Sequence, residues 1–134
     1  MTYLPDTNAW IAFLNPGRNH LKERFLSVEA SSIFFCSVVK AELYYGAEKS
    51  EKRLENLEIL NQLFSEVISL PFDDEAARQY GIIRASLARL GTPIGPNDLM
   101  IASIALAQRA VVVTHNIGEF RRVGGLEIED WESR

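Results

Sequence analysis

Five short apolar runs recur along the chain, at Tyr3-Leu4, Ile33 to Cys36, Val67 to Leu70, Val111 to Val113 and Leu126 to Ile128, and longer stretches with helical spacing lie between them. Strands that alternate with helices pair in parallel, because each crossover helix carries the chain back to the same end of the sheet. The expected fold is therefore an α/β sandwich. The helix over Asp73 to Leu90 is the plainest: Asp73 or Asp74 caps its start, Ala76, Tyr80, Ile83 and Leu87 recur at helical spacing, and Gly91 ends it. A second helix is expected after Ser37 as N-cap, and a third, Glu51 to Phe64, is amphipathic through Leu54, Leu57, Leu60 and Phe64. Pro96 opens a fourth, whose stretch Leu99 to Ala107 is apolar nearly all round and so belongs inside the domain. With 134 residues the chain is expected to form one domain over 1–134.

Charge narrows the partners. A net charge of −4 excludes a protein that grips nucleic acid over its whole surface, so any basic patch is local. The single cysteine, Cys36, allows no intramolecular disulfide. No apolar stretch reaches the roughly 20 residues that cross a bilayer, and Met1 to Asp6 lacks the regions of a signal peptide, so the cytoplasm is the expected location.

Three acids stand where chemistry is expected. Asp6 follows the first strand and precedes Thr7-Asn8-Ala9-Trp10, at a strand-to-helix handover where open α/β sheets bind ligands. A helix cap is an equally good reading of Asp6 alone, and Asp98, in the first turn after Pro96-Asn97, has the same alternative through the helix dipole. Glu42 is more telling. It lies too deep for a capping box, sits among Val38, Val39, Ala41, Leu43 and Tyr45, and has no favourable partner four residues on, where position 46 is Gly. Burying such a carboxylate costs several kcal/mol without a compensating cation or donors. A fourth acid, Glu119, follows the strand Val111 to Val113 in the polar turn Thr114-His115-Asn116-Ile117-Gly118-Glu119. Gathered carboxylates about 4 Å apart repel by roughly 4 kcal/mol at an effective dielectric near 20. All-oxygen ligation with no thiolate favours Mg2+ or Mn2+ over zinc.

Together these residues resemble the PIN-domain ribonucleases, and within them the VapC-type toxins of bacterial and archaeal toxin–antitoxin pairs. The resemblance covers nearly the whole chain. It rests on Asp6-Thr7-Asn8, on Val39-Lys40-Ala41-Glu42-Leu43 with Gly46-Ala47, on Gly91 to Asp98 with Ile101-Ala102, and on Val113-Thr114-His115-Asn116 with Glu119-Phe120. It implies a three-layer sandwich around a central parallel sheet of about five strands. It implies that Asp6, Glu42, Asp98 and Glu119 bind Mg2+, or Mn2+, and catalyse RNA hydrolysis, with Asn116 the alternative to Glu119 in the fourth place. Thr7, Asn8, Asn97, Thr114 and Asn116 are then expected to orient carboxylates or bind phosphate, a role each shares with an ordinary turn or cap residue. Implied partners are RNA, a second copy of the chain, and a VapB-like antitoxin with a DNA-binding domain that suppresses cleavage.

Cations for the RNA backbone are sought among Arg18, Lys22, Lys40, Arg84, Arg121 and Arg122, with Lys40 and the Arg121-Arg122 pair ranked first. His20 and His115 read as surface or turn residues with nothing nearby to tune them. The competing readings are a PIN fold that only binds, and a phosphatase of the haloacid dehalogenase type. The second has Asn8 where its Asp-x-Asp motif needs an acid.

Overall fold

The computed structural model describes residues 1–133. Strand β1 (Tyr3–Pro5) lies mid-sheet, with β4 (Val111–Val113) beside it and β5 (Ile128–Glu129) beyond. On its other side β2 (Phe35–Cys36) pairs with β3 (Ser69–Leu70), and this pair joins β1 through the bridge between Tyr3 and Ile33 and the 2.9 Å hydrogen bond from Phe34 N to Tyr3 O. The strand order is thus β3-β2-β1-β4-β5, and every pairing is parallel. All three residues of β4 are buried, as a strand covered on both faces requires.

Strand order runs outward in one direction from β1 to β3 and in the other through β4 and β5. Because parallel crossovers are right-handed, this reversal places helices on opposite faces and gives three layers. It also opens a crevice at the carboxyl ends of β1 and β4, where neighbouring connections leave towards different faces.

The helices are α1 (Thr7–Leu14), α2 (His20–Ser27), α3 (Ser37–Glu48), α4 (Arg53–Glu66), α5 (Asp74–Leu90), α6 (Pro96–Gln108) and α7 (Ile117–Phe120), with a 3-10 turn at Ala30–Ser32. Helix α5 has the expected ends: Asp73 accepts from Ala76 N at 3.0 Å, and Gly91 takes φ +69° to close it. Helix α6 starts at Pro96 and buries Leu99 and Ile101 to Ala105. Two expectations need correction, and one helix is added. Ser37 is the first helical residue of α3 and not its cap, because β2 runs straight into the helix and leaves Cys36 in the cap position with no side-chain bond. Helix α4 begins at Arg53, and Leu54 is 76% exposed because the buried stripe narrows to Leu57, Leu60 and Phe64. Helix α2 was not anticipated; Asn19 caps it by accepting from Lys22 N at 2.8 Å, and Leu21 and Phe25, four apart, anchor it.

Beneath the crevice the core is aromatic. Trp10 of α1 stacks on Phe35 at 3.9 Å between centroids, and Phe25 meets Trp10 and Trp131 edge-on at 5.2 Å each. This packing fixes the base of α1, and so the position of Asp6 just before it. Among the described residues no helix is long and apolar enough to cross a membrane.

Candidate active site at the carboxyl end of the sheet

Asp6 continues the ladder of β1, its N–H donating to Val113 O at 2.9 Å, and then turns its side chain back over the start of α1. One carboxylate oxygen accepts from Ala9 N at 2.9 Å, so Asp6 does cap the helix. The other accepts from the Thr114 hydroxyl at 2.6 Å, across 108 positions of sequence. Asp6 is 5% exposed and Thr114 is fully buried, held by its own N–H to Glu129 O at 3.0 Å. The same Thr114 hydroxyl accepts from Asn116 N at 2.9 Å, which shapes the turn after β4. Burial raises the Asp6 pKa above the usual carboxylate value, against the Thr114 and Ala9 hydrogen bonds, and the charges of Glu132 and Glu42 add to the rise.

Glu42 reaches this point from α3. It accepts from the Thr7 hydroxyl at 2.7 Å, so the residue beside Asp6 in sequence holds the second acid in place. The partner missing along its own helix is therefore a neutral donor on another helix. Asp98, in the first turn of α6, has its pKa pushed up to about 6, first by burial and then by the charges of Glu119, Asp6 and Glu42, with Asn116 opposing. Glu119, on α7, accepts from Gly95 N at 2.6 Å and from the Asn116 amide at 2.8 Å. It thus ties the turn after β4 to the loop before α6, with Asn116 as one of its donors. Asn8 and Asn97 lie exposed beside Thr7 and Asp98.

Four carboxylates from β1, α3, α6 and α7 therefore share one electrostatic neighbourhood without sharing one point. Among the described residues no three of them bring an oxygen each within 4.8 Å of one another. Hydrogen bonds from Thr7, Thr114, Gly95 and Asn116 fix Glu42, Asp6 and Glu119 individually. The donor set fits a hard dication: it is all oxygen, crowded and short of positive charge.

The cations behave differently from one another. Lys40 faces away from Glu42, its ammonium 5.0 Å from the Phe64 ring centroid and 5.9 Å from that of Phe35, as positions two apart on a helix dictate. Arg122 donates to Pro93 O at 2.9 Å and Arg121 is exposed. His115 is better partnered than its sequence neighbours suggested, with Asp130 at 3.0 Å and Glu132 at 3.5 Å. Those two acids, and the reach of Glu132 to Asp6, were missed. The available signal was their position just past the last strand, at the same end of the sheet as Asp6.

Residues 3–126 match the family described as PIN domain. The chain is 42% identical to the tRNA(fMet)-specific endonuclease VapC of Salmonella typhimurium over 131 residues, covering 98% of each chain, and 36% identical to Ribonuclease VapC2 of Rickettsia felis, covering 98% of this chain and 99% of that one. Among solved structures, DNA-bound VapBC from Salmonella typhimurium superposes with a TM-score of 0.90 at 42% identity over 98% of each chain. VapBC-1 from nontypeable Haemophilus influenzae gives 0.89 at 32% identity, covering 99% of this chain and all of that one. A buried strand-end aspartate with three further acids nearby, on a sheet ordered β3-β2-β1-β4-β5 and matched over 98% of the chain by these relatives, places the chain in the PIN-domain family, among the VapC-type ribonucleases.

Proposed function

We propose that this chain is the toxin of a toxin–antitoxin pair, a Mg2+-dependent endoribonuclease whose Asp6, Glu42, Asp98 and Glu119 hold the ion against an RNA phosphodiester. The observation that carries this is the excess of negative charge: Asp98 is held at about 6 by burial and by the other three acids, and no cationic side chain pairs with any of them among the described residues. A dication supplies that missing charge and lowers the pKa of a water bound to it. The chain's own groups do the positioning. Thr7 fixes Glu42, Thr114 fixes Asp6, and Asn116 with Gly95 N fixes Glu119, so the acids meet substrate already oriented. Arg121 and Arg122, exposed just past the last acid, are the cations this reading assigns to the RNA backbone.

The relatives suggest the partners. The Salmonella protein is named for tRNA(fMet), which makes initiator tRNA the first substrate to test for this chain. Two of the structures this chain resembles are VapBC complexes bound to DNA, from Salmonella typhimurium and Rickettsia felis, which supports a VapB-like antitoxin with a DNA-binding domain. A groove of about 360 Å³ between α1, α3 and α4, lined by Ile11, Leu14, Leu43, Ile59 and Leu60, opens beside Glu42 and suits an apolar segment of that antitoxin. A homodimer and a cytoplasmic location complete the reading.

Incubation of the pure protein with initiator tRNA and bulk RNA, in Mg2+, Mn2+ or EDTA and beside Asp6→Asn, tests it. Metal-dependent cutting lost in the variant is expected. Cutting that persists in EDTA removes the metal role, and binding without cutting in every metal leaves a PIN fold that only binds.

A further inference from the structure

A second concavity lies on the other side of the loop that leads into Asp98. It encloses about 400 Å³ between α5 and the 91–95 loop, walled by Tyr80, Arg84 and Ala88 of α5, by Ile94, and by Pro96 and Leu99 at the start of α6. That volume and mostly apolar lining are those of a small-ligand site. Its one charge is a cation. Arg84 donates to the Tyr80 hydroxyl at 3.1 Å and lies 5.9 Å from the Tyr80 ring centroid, so ring and guanidinium are set together at the mouth. Phe72 supports Tyr80 edge-on at 6.3 Å. Among the described residues no carboxylate lines the pocket, in a chain with 18 acids against 14 Lys and Arg. The rim is held from the catalytic side: Arg122 donates to Pro93 O, and Gly95 N donates to Glu119.

The same loop therefore forms the wall of the pocket and the anchor of the acid cluster. The first turn of α6 contributes Asp98 to the cluster and Pro96 and Leu99 to the pocket. We propose that the pocket takes an unpaired base of the RNA that the acids cut, stacked against Tyr80 and Arg84, with Arg84 and Arg122 meeting the flanking phosphates. This rests on the nuclease reading above. A base is chosen over a protein segment on three grounds. The site is small and concave, its charge complements phosphate, and aromatic rings beside arginine planes are what splayed RNA bases stack on. Arg84 thereby becomes a specificity residue, and the base it accepts lies at a set offset from the bond at Asp98.

Fluorescence anisotropy in EDTA, where cutting is absent, measures binding of labelled single-stranded oligoadenylate and of an abasic ribose-phosphate strand of equal length. The wild type is expected to prefer oligoadenylate. Ala88→Trp, which fills the pocket from an exposed position, is expected to weaken oligoadenylate binding roughly ten-fold and to leave the abasic strand unchanged. Arg84→Ala is expected to weaken both strands, and serves if Ala88→Trp melts early. Unchanged oligoadenylate affinity in both variants overturns the proposal. So does a change of sedimentation in Ala88→Trp with affinity intact, which assigns the face to a second copy of the chain. Cleavage of initiator tRNA in Mg2+ is scored separately. Cutting by a wild type whose pocket variants bind normally removes the pocket and keeps the nuclease, whereas pocket-dependent binding without cutting does the reverse.

Discussion

Two acidic clusters stand at the same end of this sheet, and they are chemically opposite. His115, Asp130 and Glu132 are the tighter group, with one ligating atom from each within 4.8 Å of the others. Asp6, Glu42, Asp98 and Glu119 are looser. Yet in the tight group Asp130 has its pKa lowered: some burial pushes it up, but hydrogen bonds from Ser133, from Glu132 N and from His115 outweigh that. In the loose group burial raises both Asp6 and Asp98 and the neighbouring charges raise them further. The tighter packing of acids is thus not the more strained one. What distinguishes the candidate site is charge that the fold has buried and left without a counter-charge, whereas the charge on Asp130 is already satisfied by donors.

That contrast breaks most easily by mutation. Asp98→Asn is expected to cut initiator tRNA at least about a hundred-fold more slowly than wild type, while Asp130→Asn stays within about two-fold. Equal losses in a gel-based cleavage assay end the distinction. Metal is the next lever. Mn2+ at about a hundred times its Kd is expected to stabilise the wild type by about 2.7 kcal/mol, read as a rise in Tm. His115→Ala keeps the rise and Asp98→Asn loses most of it; the opposite pattern moves the ion to the outer cluster.

pH separates the two clusters without metal. The folded Asp98 carboxyl, at about 6 against an ordinary 3.8, holds its proton more tightly than the unfolded chain does, so this group's stability is lost as pH rises from about 4 through 6. In EDTA, Asp98→Asn is therefore expected to be more stable than wild type by about 1–2 kcal/mol above pH 6, with no difference below pH 4, discounted for partial exposure. Asp130 carries the reverse sign: its lowered pKa contributes stability at neutral pH that is lost on acidification. Asp130→Asn is expected to destabilise by less than about 1 kcal/mol at pH 7. Urea titrations across pH read both. A single hydrogen bond can be tested within the same site: Thr7→Val removes the 2.7 Å bond to Glu42 and should cost about ten-fold in cleavage with an intact fold by circular dichroism.

Alternation of short apolar runs with amphipathic stretches was enough to read a parallel α/β sheet, the ends of α5 and the start of α6. Those features are local: caps, Pro96, Gly91 and periodicity act within a few residues. Helix α2 was missed: its signals Asn19, Leu21 and Phe25 are present, but its eight residues follow loop-like Asn, Pro and Gly. Asp6, Glu42, Asp98 and Glu119 were singled out from motif and resemblance. Tertiary structure alone decided how they are held, because Thr114 reaches Asp6 over 108 positions, Thr7 reaches Glu42 over 35, and Gly95 reaches Glu119 over 24. It alone turned Lys40 towards Phe64, set Asp130 and Glu132 beside His115, and built a pocket behind the Asp98 loop. Residue type and spacing set which helices and strands form, since backbone geometry is local. Which carboxylate lacks a counter-charge depends on every group folded around it, and that sum exists only once the sheet has brought its strand ends together.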